Sequence, residues 1–142
     1  MRSVFAFFHD LDEGTLEASL DELAMRSPGD PATWQFLTEP GDPVLYIFVQ
    51  RPSNQTFLAE WDLESRRALT DALGGAVTVY VQADVTGRHP GRAEAIQFLI
   101  GLLERHEGVA TSDYDEDHCW TAAELRADAP LQGRAFFTYP PD

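Results

Sequence analysis

The chain has 142 residues, 44% hydrophobic and 11% aromatic, a folded-domain composition that excludes the low-hydrophobicity signature of disorder. Its 24 acidic and 10 basic residues give a formal net charge of -14, and every basic residue is arginine. A surface of this sign repels phosphate, which disfavours nucleic acid and anionic membranes and leaves a basic protein as the partner class it attracts.

The same charge also serves solubility, and the absence of lysine is what a GC-rich or salt-adapted host produces. Cys119 is the single cysteine, so no intrachain disulfide points to secretion. The apolar run Val4–Phe8 is too short for a signal peptide, and no stretch approaches the roughly 18 apolar residues of a membrane span. One domain over residues 1–142, located in the cytoplasm, is the expectation.

Residues 3–8, with Val4 and three phenylalanines, read as a buried strand. The loop His9–Gly14 is acidic, a turn favoured ahead of a helix by the dipole. Thr15 is the expected N-cap of a helix to about Arg26, with Leu16, Leu20 and Leu23 on one face. Ser27-Pro28-Gly29-Asp30-Pro31 stops it. Trp34–Leu37 reads as a short strand, and Val44–Val49 as a central strand covered on both faces, ended by Arg51-Pro52-Ser53-Asn54. Asp62 caps an expected helix over Leu63–Leu73, stopped by Gly74-Gly75. Residues 77–85 alternate as a strand. Ile96, Leu99, Ile100 and Leu103 mark a helix over 92–106, with Ala95, Phe98 and Leu102 widening its apolar stripe. Val109–Thr111 is a short strand, Thr121-Ala122-Ala123-Glu124 a capping box, and Ala135–Tyr139 a last edge strand before Pro140-Pro141. The first six elements follow the β-α-β-β-α-β order, so the expected fold is α+β: a ferredoxin-like core sheet with a C-terminal α-β-α-β elaboration.

The segment from Ser112 to Glu124 carries the most chemistry. Asp113, Asp115, Glu116 and Asp117 fall within five residues, beside Tyr114, His118, Cys119 and Trp120. Charges packed this closely need solvent, a cation or a basic partner to offset them. As a recognition surface, Asp113, Tyr114, Asp115, Glu116 and Asp117 form the contact loop and Trp120 positions it. As a calcium-like loop over 113–124, Asp113, Asp115, Asp117 and Glu124 are the side-chain ligands, although position six is His118 where such loops need glycine. His118 and Cys119 lack zinc spacing, and Cys119 stands in no recognised nucleophile context. No GxxxxGK[ST] or GxGxxG pattern occurs, and no cofactor is expected.

The stretch Gly108–Leu125, with Asp113-Tyr114, Asp117, Trp120-Thr121 and Glu124-Leu125 after a helix ending Leu102-Leu103-Glu104-Arg105, resembles a pattern in small acidic bacterial immunity-type proteins, which neutralise toxins of polymorphic toxin systems. The resemblance covers the last third of the chain. It implies a non-catalytic protein that binds and blocks a toxin, often a basic nuclease. Two other readings stay open: a metal-binding protein or small enzyme centred on the same loop, and a homodimer joined through the broad apolar surface of the 92–106 helix.

Overall fold

The computed structural model describes residues 2–50, 62–87, 89–113, 118–128, 130 and 135–137. In chain order the described elements are β1 (Ser3–Phe8), α1 (Glu13–Leu23), β2 (Met25–Ser27), β3 (Asp30–Glu39), β4 (Asp42–Gln50), α2 (Leu63–Leu73), β5 (Val79–Val85), α3 (Arg92–Arg105), β6 (Gly108–Ser112) and α4 (Ala122–Ala127). The fold is mixed α+β, as the sequence implies. Its six strands form one antiparallel sheet in the order β2-β3-β4-β5-β1-β6.

All six side chains of β1 are buried, which explains why its sequence shows no polar alternation. Val4, Ala6 and Phe8 join Val79, Val81 and Ala83 of β5 and Leu45 and Ile47 of β4 on one face. There they meet Leu16 and Leu20 of α1, Phe98, Leu99 and Leu102 of α3, and Leu125 of α4. Phe5 and Phe7, one residue out of step, point to the opposite face with Tyr80 and Val109, and Leu69 of α2 packs on them. The apolar surface of α3 therefore meets α1 and α4 of its own chain, with Ile96 and Ile100 half-buried against the same core.

Register orders the α2-side face into rows that run across the strands. Tyr80, Phe7 and Val109 form the row beside Leu69 and Leu73. Phe48, Gln82, Phe5 and Thr111 form the next. Tyr46, Asp84 and Ser3 form a third, and Asp113 extends it because its N–H bonds the Ser3 carbonyl at 3.1 Å. The face thus grades from apolar to acidic along β1.

Several local expectations are corrected. Asp12, not Thr15, caps α1: its Oδ1 accepts the Thr15 N–H at 2.7 Å and its Oδ2 the Thr15 hydroxyl at 3.0 Å. Aspartate caps at least as well as threonine, and choosing it adds a turn that keeps Leu16 and Leu20 in the core. The helix ends at Leu23, and Pro28-Gly29 is the turn of a hairpin, with Gly29 at φ 81, rather than a simple stop. That hairpin adds β2 and lengthens the expected Trp34–Leu37 strand to ten residues, with Pro31 near its start where it costs least. β4 is covered unevenly: Val44, Leu45 and Ile47 are buried, while Tyr46, Phe48 and Val49 are half-buried. Of the expected strand Ala135–Tyr139, residues 135–137 are described and form a turn. Phe137 at φ 55 is incompatible with extended backbone. Thr138 and Tyr139 lie outside the described residues, as do Arg51-Pro52-Ser53-Asn54.

Candidate functional site

The residues expected to form a contact loop begin at Asp113, just past the end of β6. Tyr114, Asp115, Glu116 and Asp117 lie outside the described residues. Asp113 Oδ2 accepts the Ser3 backbone N–H at 2.7 Å. On the other side of Ser3, Asp84 Oδ1 accepts the Ser3 hydroxyl at 2.5 Å and the Gln82 amide at 2.9 Å. Two carboxylates therefore share one serine, and neither has an ion-pair partner among the described residues. Partial burial pushes the Asp113 carboxyl above its usual range against the opposing Ser3 N–H, and the Asp84 charge adds to the rise.

Past the loop the chain returns to the sheet at Trp120. Its N–H and carbonyl bond the carbonyl and N–H of Ala110, each at 2.8 Å, which pins this segment to the outer edge of β6. The Trp120 indole is 1% exposed and packs edge-on against Phe136, with ring centroids 5.5 Å apart. Trp120 is thus a buried anchor next to the loop, and its ring is not on the surface a partner would touch. Its Nε1–H is buried without a hydrogen-bond partner among the described residues.

Thr121 and Glu124 form the expected capping box at the start of α4. Glu124 Oε1 accepts the Thr121 N–H at 2.9 Å, and Thr121 Oγ1 accepts the Glu124 N–H at 3.2 Å. Glu124 Oε2 meets His118 Nε2 at 3.0 Å. Burial alone would raise the Glu124 carboxyl, but the Thr121 N–H and His118 outweigh it and hold it below its usual value. Both oxygens expected to grip a metal are thus engaged within the chain, and a cation there has to displace His118 and the cap. Among the described residues no three His, Cys, Asp or Glu side chains are grouped to hold a metal ion. Cys119 is half-buried, and burial followed by the Glu124 charge pushes its thiol up to about 11. Such a group stays protonated at neutral pH, the reverse of an activated nucleophile.

A second cluster lies at the other end of β1, where the sequence suggests only a helix-leading turn. A cleft of about 400 Å³ is lined by His9, Asp10, Leu11, Leu73, Arg105, His106 and Glu107. His9 Nδ1 donates to the Ala76 carbonyl at 2.9 Å, because a carbonyl can only accept. A Cβ on Gly75 would overlap the His9 ring, so glycine is required for the ring to lie where it does. Asp10 has φ 60, a left-handed conformation that aspartate tolerates better than most residues. His106 Nε2 lies 2.7 Å from Ser19 Oγ of α1, and its ring meets Phe8 edge-on. The signal for this cleft is in the sequence. His9-Asp10 and His106-Glu107 are both a histidine followed by a carboxylate, and each comes directly after a buried element. Nothing local reveals that the two dipeptides meet.

No protein-family model matches the chain, and no curated protein or solved structure is significantly similar to it.

Proposed function

We propose that this chain is an acidic binding protein of the immunity type, which occludes a basic protein such as a toxin domain. The observation that carries this reading is how the positive charge is used. Arg26 pairs with Asp21, Arg92 with Asp128, Arg105 with Glu22 and Arg126 with Glu104, while Arg2 bonds the His89 carbonyl. These five of the ten arginines are thereby held within the chain, while Arg66 and Arg67 of α2 are exposed. Asp10, Glu39, Glu107 and Asp113 are exposed and have no ion-pair partner among the described residues. An acid surplus of this kind steers a cationic partner and rejects anionic ones. The acidic loop opening at Asp113, with Tyr114, Asp115, Glu116 and Asp117, is the proposed contact segment, held to the sheet through Trp120.

For the core we infer a ferredoxin-like arrangement made from other elements than the first six. Its support is that β5 lies between β1 and β4, and β1 between β5 and β6. The halves β1-α1…β4 and β5-α3-β6 are then both split by a strand of the other, with the β2-β3 hairpin and α2 as insertions.

The test is co-expression with the protein encoded by the adjacent gene, if it carries a basic C-terminal domain, followed by affinity measurement at several salt concentrations. Protection of the host and an affinity that falls steeply with salt are expected. No protection, with no association at low ionic strength, would sink the proposal.

A further inference from the structure

We propose that the groove running from His9 to Ala122 is a docking site for a segment of a basic protein. An arginine or lysine side chain would seat between Asp10 and Glu107, with apolar neighbours along Leu73 and Val109. The inference rests on the basic-partner reading above and adds a second contact for such a partner, at the opposite end of β1 from the Asp113 loop.

Two adjoining clefts make the groove. The first is the 400 Å³ cleft at His9, large enough for a long side chain. The second, about 210 Å³, is lined by Leu103, Val109 and Ala122 among others, and it shares Leu73 and Glu107 with the first. One end of the groove is therefore acidic, and the other mixes Leu73, Leu103, Val109 and Ala122 with the polar Thr121 and Glu107.

The charge of the first cleft selects a cation. Asp10 and Glu107 are exposed and unpaired among the described residues. Arg105 also lines it, but its guanidinium is held by Glu22, with Nη2 3.2 Å from Oε2. His9 has its Nδ1–H committed to Ala76, and His106 is held by Ser19. The C-termini of α2 and α3 both end here, through Leu73 and Arg105, and α2 carries no basic residue in its last turn. The partial negative charge of those helix ends adds to the two carboxylates. A bare metal ion is a poor match, since no three ligating side chains are grouped among the described residues. A cationic side chain, whose stem lies on Leu11 and Leu73 while its head meets carboxylates, suits both halves of the chemistry.

The experiment is an amide-resolved NMR titration of the full chain at low ionic strength with acetyl-Arg-Leu-Leu-amide. Its counterpart with citrulline in place of arginine removes only the charge, and free arginine lacks the apolar half. Saturable shifts at Asp10, Leu11, Leu73, Glu107 and Val109 are expected. Binding should weaken at least about tenfold with the citrulline peptide, with free arginine, and with the Asp10→Asn/Glu107→Gln chain, and stay unchanged with Glu64→Gln on the exposed first turn of α2. Both replaced side chains are exposed, and unchanged shifts elsewhere establish that the variant is folded. Equal binding by the citrulline peptide or by free arginine, shifts centred on Asp113 and His118, or no saturable shift would each overturn the groove. The co-expression test judges the basic-partner reading separately, so the groove can fail while that reading stands.

Discussion

Asp84 and Asp113 hold Ser3 between them, one taking its hydroxyl at 2.5 Å and the other its backbone N–H at 2.7 Å. The arrangement places two carboxylates on one sheet face, neither with an ion-pair partner among the described residues. Its consequence is a pH dependence. The folded chain binds the Asp113 proton more tightly than the unfolded chain, whose carboxyl titrates near the ordinary value of 3.8. Stability from this group is therefore fully present below that value and falls as pH rises through the shifted one. Asp113→Asn keeps an acceptor for Ser3 and removes the charge. The variant should be more stable than the parent at neutral pH, with the gap closing below about pH 3.8. Denaturant midpoints measured from acid to neutral pH check this, with Asp71→Asn on the exposed face of α2 as control for net charge. A shift no larger than the control's contradicts it.

Gly75→Ala is expected to destabilise by about 0.5–1.5 kcal/mol, because the exposed His9 ring must swing off the new methyl, while the backbone there needs no left-handed conformation. The ring has to leave, and its bond to the Ala76 carbonyl goes with it. In a His9→Ala background the same change should be nearly neutral. A double-mutant cycle in thermal unfolding reads the coupling, and additive effects would show that the ring and the glycine do not compete for space.

Thr111 lies on β6 beside Phe5, 1% exposed, and its Oγ1 has no hydrogen-bond partner among the described residues. Thr111→Val replaces an unpaired buried hydroxyl with a methyl of similar shape and preserves the strand preference of a β-branched residue. It should stabilise by about 1 kcal/mol in chemical denaturation. A loss of stability would mean that the hydroxyl is satisfied in solution.

Cys119 should alkylate slowly at neutral pH. With its thiol pushed up to about 11, the reactive thiolate is scarce, and the rate with iodoacetamide should climb about tenfold per pH unit towards that value. Glu124→Gln removes a charge that opposes ionisation and should move the curve to lower pH. A rate that levels off well below pH 9 would contradict the burial argument.

Much of the local structure is legible because its causes are local. α2 runs between its Asp62 cap and Gly74 as expected, because an aspartate cap and a left-handed glycine stop act within one turn. The Thr121/Glu124 capping box is equally short in range. The start of α1 is ambiguous in sequence, because Asp12 and Thr15 are both good caps and burial of Leu16 decides between them. The β2-β3 hairpin is not legible in the sequence, because three residues, Met25–Ser27, carry too little pattern to mark a strand without their partner. The expected strand at Phe136 gives way to a turn packed on Trp120 and bonded by Arg92, contacts that local propensity does not contain.

Composition and periodicity by themselves determine that this is a strongly acidic α+β chain, where its main helices lie, and that its arginines are too few to offset its acids. Only the tertiary structure decides which acids act together. Asp84 meets Asp113 through Ser3, and Asp10 meets Glu107 across a cleft, because antiparallel register brings distant segments into rows and helix ends into one place. The reason is physical: a charge is printed in the sequence, but its neighbours, its solvent and hence its energy depend on distances that exist only once the sheet has formed.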